Sequence, residues 1–152
     1  MTAIQDRVKS DLIAAMKSGD AFRKDTLRLI KSELDKAETD KGSELTDAEA
    51  VTVVNRAVKQ RHDAADAFLQ AGRSDLSDKE KNEAAILTEY LPEQLSEDKL
   101  RELVDEAVRE SGAASKSDMG KVMKAIMPKV SGRADGKLVK SLVDEAIAKL
   151  TS

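Results

Sequence analysis

The sequence predicts an all-α fold, and three observations carry that prediction. Hydrophobic residues make up 40% of the 152 positions, yet the aromatics are only Phe22, Phe68 and Tyr90. The interior must therefore be built from Leu, Val, Ile, Ala and Met, which suit closely packed helices better than a sheet. Apolar residues recur every three or four positions along most of the chain, and the two prolines and most glycines fall between those stripes.

The elements follow in order. Ile4, Val8, Leu12 and Met16 make a first stripe that stops at Gly19, and Phe22, Thr26, Leu29, Ile30, Leu34 and Ala37 a second that runs to Gly42. Thr46, with Glu49 three residues on, has the spacing by which a hydroxyl and a carboxylate satisfy unpaired amides at a helix start. Val51, Val54, Val58, Ala65 and Leu69 then form a long third stripe ending at Gly72. Ser77 and Glu80 repeat the capping spacing ahead of Ala84, Leu87 and Leu91, and this fourth helix must end near Tyr90 because Pro92 disfavours helical geometry at the residue before it.

Ser96 is the expected cap of a fifth helix, with Leu95 and Leu100 placed as a hydrophobic staple. Leu103, Val104 and Ala107 continue it to Gly112. Ser117 is expected to cap a sixth helix carrying Met119, Val122, Met123 and Ile126 and ended by Pro128. Asp135 is expected to cap the seventh, with Val139, Leu142, Val143, Ala146, Ile147 and Leu150 inward. The expected organisation is an N-terminal helical bundle over residues 1–92 and a small three-helix tail over 93–152, with the hinge at 92–96.

Charge is distributed unevenly. Residues 1–73 carry thirteen acids and thirteen bases, 74–114 twelve acids and five bases, and 115–152 four acids and eight bases. Between Lys116 and Lys140, seven cations face only Asp118 and Asp135. A positive end on an acidic body points to an anionic partner. Lys121 and Lys124 fall on the outer side of the sixth helix and Lys137 and Lys140 on that of the seventh, with Lys129 and Arg133 between them. The loop leads to a helix N-terminus, where free amides favour an anion, and Gly132 and Gly136 allow close backbone approach. The competing reading is a solvated basic surface. No aromatic interleaves these cations, so base stacking is not expected and backbone contact would dominate. Gly120 reads as a small residue at a close helix approach.

Catalytic machinery is not visible. The absence of cysteine removes disulfides, thiolate metal sites and thiol nucleophiles. His62, the single histidine, stands beside the third stripe without a second histidine or a serine partner, so packing or a hydrogen bond between helices is its expected role. Glu97 with Asp98, and Asp105 with Glu106, read as a helix-start bias and a solvated face. No nucleotide-binding glycine loop, zinc spacing or calcium loop occurs, and neither a cofactor nor a metal is expected. No apolar run approaches a membrane span or the core of a signal peptide, so the expected location is cytoplasmic, without a membrane partner.

EAAILTEYLPEQLSEDKL at 83–100, DMGKVMKAIMPKVSGRADGKLV at 118–139 and FRKDTLRLIKSEL at 22–34 resemble the GatB/YqeY family over nearly the whole chain. The resemblance is to the C-terminal helical and tail regions of the GatB component of the glutamine-dependent tRNA amidotransferase, standing alone. It implies a helical bundle with a tail that reaches tRNA, carried here onto Lys121, Lys124, Lys129, Arg133, Lys137 and Lys140. The family's carbon-nitrogen ligase label, with glutamine as amide donor, belongs to a catalytic cradle and a partner amidase that this chain lacks, so no catalytic residue is expected. The leading expectation is an accessory protein binding tRNA or another structured RNA. The alternatives are a component of an amide-transfer ligase acting with an amidotransferase or tRNA-related protein, and a protein-interaction scaffold built on the long third helix.

Overall fold

A computed structural model describes residues 1–150. Among these residues the chain is all-α: α1 (Ala3–Ser18), α2 (Ala21–Lys41), α3 (Asp47–Gln70), α4 (Ser74–Thr88), α5 (Glu97–Ser111), α6 (Met119–Val130) and α7 (Gly136–Leu150), with a single 3-10 turn at Lys116–Asp118 ahead of α6. The described chain divides into two compact units, residues 1–91 and those from Pro92 onward.

In the first unit α1 packs on α2 and α3, and α3 and α4 form the most extensive helix pair. The core draws Val8 from α1, Leu27, Ile30 and Leu34 from α2, Ala50, Val54 and Ala57 from α3, and Ala84, Leu87 and Tyr90 from α4 and its end. α3 starts as its sequence requires: Thr46 Oγ1 accepts from the Glu49 amide at 3.1 Å, and the Glu49 carboxylate accepts from the Thr46 amide at 2.9 Å. Lys41 donates to that carboxylate and is the first cause holding Glu49 down from 4.5 to about 2, the Thr46 bonds being the second.

Three arginines of this unit, Arg7, Arg23 and Arg61, are built into its structure. Arg61 of α3 lies between Glu33 of α2 (3.9 Å) and Glu83 of α4 (3.7 Å), with only 11% of its side chain exposed. Burial raises the Glu83 pKa, and repulsion from Glu80 adds to the rise. The Tyr90 hydroxyl donates to Asp11 of α1 at 2.5 Å, and the Arg7 guanidinium lies 4.9 Å from the centre of the Tyr90 ring. Arg23 of α2 joins Glu89 at 2.9 Å. Burial first, and then the Asp11 bond, raise the Tyr90 pKa well above the usual phenol range.

The second unit packs α5 against α6 and α7, and α6 against α7. Leu100, Val104 and Ala107 face Val122, Ile126 and Val130 and the Val139, Leu142, Val143 and Ile147 stripe. Ser96 caps α5, its hydroxyl accepting from the Lys99 amide at 3.2 Å. Asp135 lies at the start of α7, where its carboxylate accepts from the Lys137 amide at 3.2 Å.

Three helix limits differ from expectation. α4 begins at Ser74, so Ser77 is a fully buried residue of its first turns instead of its cap. The reason is the tight closure of α3: Gly72 at φ +75° allows the Arg73 amide to bond the Phe68 carbonyl at 2.8 Å, a Schellman end that returns the chain at once. The turn before α6 is closed not by Ser117 but by Asp118, whose carboxylate accepts from the Ala114 (2.9 Å) and Ser115 (3.2 Å) amides. α6 runs through Pro128 to Val130. A proline there removes one amide and its bond to the i−4 carbonyl, but the ring is exposed and the buried Val130 and the Ser131 amide, bonded to Met127 at 2.9 Å, hold the last turn.

Several residues expected inside are outside. Met16 is 52%, Phe22 38%, Leu29 50%, Leu69 55% and Leu150 47% exposed. Each lies at the edge or end of its stripe, where period alone does not decide between core and flank.

Candidate nucleic-acid interface

α6 carries Lys121, Lys124 and Lys129 and no acid. Its buried face is Val122, Ile126 and Val130, which leaves Lys121 and Lys124 exposed one turn apart. Lys124 and Lys140, both exposed, have no ion pair or hydrogen bond among the described residues. Lys121 lies 3.7 Å from Asp118. That carboxylate is held below its ordinary range first by the Ala114 and Ser115 amides, which bond its other oxygen, and only then by Lys121. Lys137 is exposed in the first turn of α7.

Of the expected contact residues, Lys129 and Arg133 are held by groups of other segments. Lys129 lies 3.3 Å from Glu110 and 4.0 Å from Glu106, carboxylates one turn apart on α5. Glu106, expected on a solvated face, thus has a partner. Arg133 is half-buried, its Nε donating to the Glu93 carbonyl at 3.3 Å and its Nη1 to the Lys129 carbonyl at 3.4 Å. Lys116, exposed beside the turn before α6, adds a cation outside the expected six.

The glycines divide similarly. Gly132 is buried at φ +74°, a left-handed conformation that side-chain-bearing residues rarely adopt. Gly136 and Gly120 do not need to be glycine on steric grounds, because an added Cβ would meet nothing within 4 Å at either position. Gly120 is thus an exposed residue of α6 and not a point of close helix contact. His62 is exposed on α3, which removes the packing role expected for it. Among the described residues no group of three or more histidine or acidic side chains is arranged to hold a metal ion, and no helix is long and apolar enough to cross a membrane.

The family model described as Yqey-like protein matches residues 5–147. The chain belongs to the YqeY-like family. Among its relatives, an uncharacterized protein of Schizosaccharomyces pombe is 30% identical over 93 residues, covering 61% of this chain and 76% of the relative. Altered inheritance of mitochondria protein 41, mitochondrial, of Pyrenophora tritici-repentis is 28% identical over 144 residues, covering 93% of this chain and 79% of the relative. The protein of the same name from Clavispora lusitaniae is 36% identical over 89 residues, which is 59% of this chain and 52% of the relative.

These names overturn the cytoplasmic location expected from sequence, since the relatives just described whose names carry a location are mitochondrial. The ground for that expectation was the lack of an apolar leader or span, which separates membrane and secreted chains from others but does not distinguish one aqueous compartment from another.

Proposed function

We propose that this YqeY-like protein is a non-catalytic RNA-binding accessory module whose second unit contacts the phosphates of a folded RNA, with tRNA the first candidate. The observation that carries the reading is the α6 surface: a helix without a single acid, with Lys121 and Lys124 exposed one turn apart and Lys124 without a partner among the described residues. Exposed ammonium groups that displace condensed counterions bind polyanions without needing a pocket. The likeness of the signature segments to the amidotransferase tail supports tRNA as the class of ligand.

The contact residues proposed are the exposed Lys116, Lys121, Lys124 and Lys140. The experiment is to purify the chain at low salt, sequence the RNA that accompanies it, and repeat with Lys124→Glu/Lys140→Glu. Enriched tRNA lost in the double variant at unchanged melting temperature is expected. RNA retained equally by both proteins would contradict the proposal.

A second reading, protein docking, draws on the first unit. There Ile13, Met16, Phe22 and Leu29 are exposed on α1 and α2, whereas the third helix proposed as a scaffold buries most of its apolar stripe. A protein partner that stays bound in a high-salt wash, with no nucleic acid retained, would favour this reading.

A further inference from the structure

Parts of two of the segments that carry the family resemblance, LPEQLS at 91–96 and SGRADGK at 131–137, meet in the second unit. Three consecutive residues of the first engage the turn between α6 and α7. The Glu93 carbonyl accepts from Arg133 Nε at 3.3 Å, Gln94 Nε2 donates to the Gly132 carbonyl at 2.8 Å, and the Leu95 amide donates to the Arg133 carbonyl at 2.8 Å. Gln94 Nε2 also reaches the Pro92 carbonyl at 3.0 Å, so a single amide group bridges both sides. Leu95 packs against the core of the unit, and Ser96 begins α5 immediately afterwards.

The turn is shaped to receive these bonds. With Gly132 at φ +74° and the Arg133 amide returned to the Val130 carbonyl at 2.8 Å, the carbonyls of Gly132 and Arg133 both accept from the 92–95 segment. The Arg133 guanidinium completes the arrangement by bonding the end of α6 at Lys129 as well as Glu93. A lysine could not reproduce this, because its single ammonium group lacks the planar fork that serves two acceptors at fixed separation.

We infer that residues 92–95 form a strap closed on the basic turn, that Gln94 is its central positioning residue, and that Arg133 serves the strap and not an RNA phosphate. The strap fixes the backbone between Lys129 and Lys137, the stretch that joins the two basic helices.

The test is residue-resolved amide exchange on the full chain without RNA. Gln94→Met keeps the length of the side chain and removes both donors. A lost hydrogen bond of about 1 kcal/mol corresponds to exchange at the Leu95 amide rising roughly five- to tenfold, with Val104 and Val143 unchanged. Arg133→Lys is expected to give a smaller rise at Leu95, and Arg133→Gln to leave the salt dependence of tRNA binding as in the wild type. Leu95 protection equal to wild type in Gln94→Met and Arg133→Lys would overturn the strap, as would uniform acceleration across the unit, the mark of general loosening. A fall of about one in the salt slope for Arg133→Gln, with Leu95 still protected, would return the arginine to the RNA contact. Because the exchange arm contains no RNA, its outcome is independent of whether the proposed function holds.

Discussion

The two units distribute their charge differently. In the first, Arg7, Arg23 and Arg61 are tied to an aromatic ring, to helix-end groups and to carboxylates on neighbouring helices. In the second, charge is segregated along the chain: residues 92–115 carry seven acids and three bases, and 116–152 four acids and eight bases. The unit is therefore neutral in total but divided within itself. Net charge alone would have hidden this division.

The largest effect that probes the contrast is expected at Arg61. Truncation to Ala leaves Glu83, whose side chain is only 13% exposed, without its cation. Breaking a buried pair costs about 3–5 kcal/mol, and the partial exposure of Glu33 reduces the expected loss to about 2–3 kcal/mol in chemical denaturation. Glu83→Gln in that background should recover part of the loss. If Arg61→Ala melts like the wild type, the first unit's charges are as dispensable as surface lysines and the contrast fails.

Tyr90→Phe comes next. It keeps the ring under Arg7 and removes the donor to Asp11, a loss of about 1–2 kcal/mol for a hydrogen bond to a charged acceptor. Equilibrium denaturation measures it directly, and Tyr90→Phe/Asp11→Asn should show the two changes to be non-additive.

A third effect is smaller and depends on pH. Glu49 is depressed from 4.5 to about 2 and Asp118 is also lowered, so each contributes stability above its ordinary carboxylate range and loses it as the pH falls through the lowered value. Glu83 has the opposite sign: its pKa is raised, so its contribution is present at low pH and lost as the pH rises through the folded value. Melting temperature followed from pH 4.5 down to about 2 should fall less steeply in Glu49→Gln than in the wild type, because the variant has no Lys41 pair to lose. An unchanged slope would assign the acid sensitivity to other groups.

The smallest effect is expected at Lys124 and Lys140. Neither has a partner among the described residues, so Lys124→Ala and Lys140→Ala should each stay within about 0.5 kcal/mol of the wild type. A larger loss would mean that these lysines support the fold.

Much of the fold is legible in the sequence because local chemistry fixes it. The Thr46 and Ser96 caps, the αL glycines at 19, 42, 112 and the α3–α4 turn, and the buried stripes of α5 and α7 all follow from nearest neighbours along the chain. Pro128 misleads because a breaking residue does not reveal the packing of Val130 beyond it. Ser77 misleads because a capping spacing also occurs inside a helix.

The candidate site is legible as a local excess of charge but not as a set of roles. Lys129 is answered by Glu106 and Glu110, and Arg133 by Glu93, across nineteen to forty residues of chain. No periodicity encodes such pairs. The strap has no signal of its own in the sequence, since Gln94 is an ordinary exposed glutamine until Gly132 is placed opposite it.

The most direct test of the central claim is the salt dependence of tRNA binding by the full chain and by Lys121→Gln/Lys124→Gln/Lys140→Gln. Each cation that releases counterions contributes roughly one to the log–log slope, so the account predicts a slope reduced by two to three with helicity and melting unchanged. Equal slopes in the two proteins, or no salt dependence in either, would contradict it.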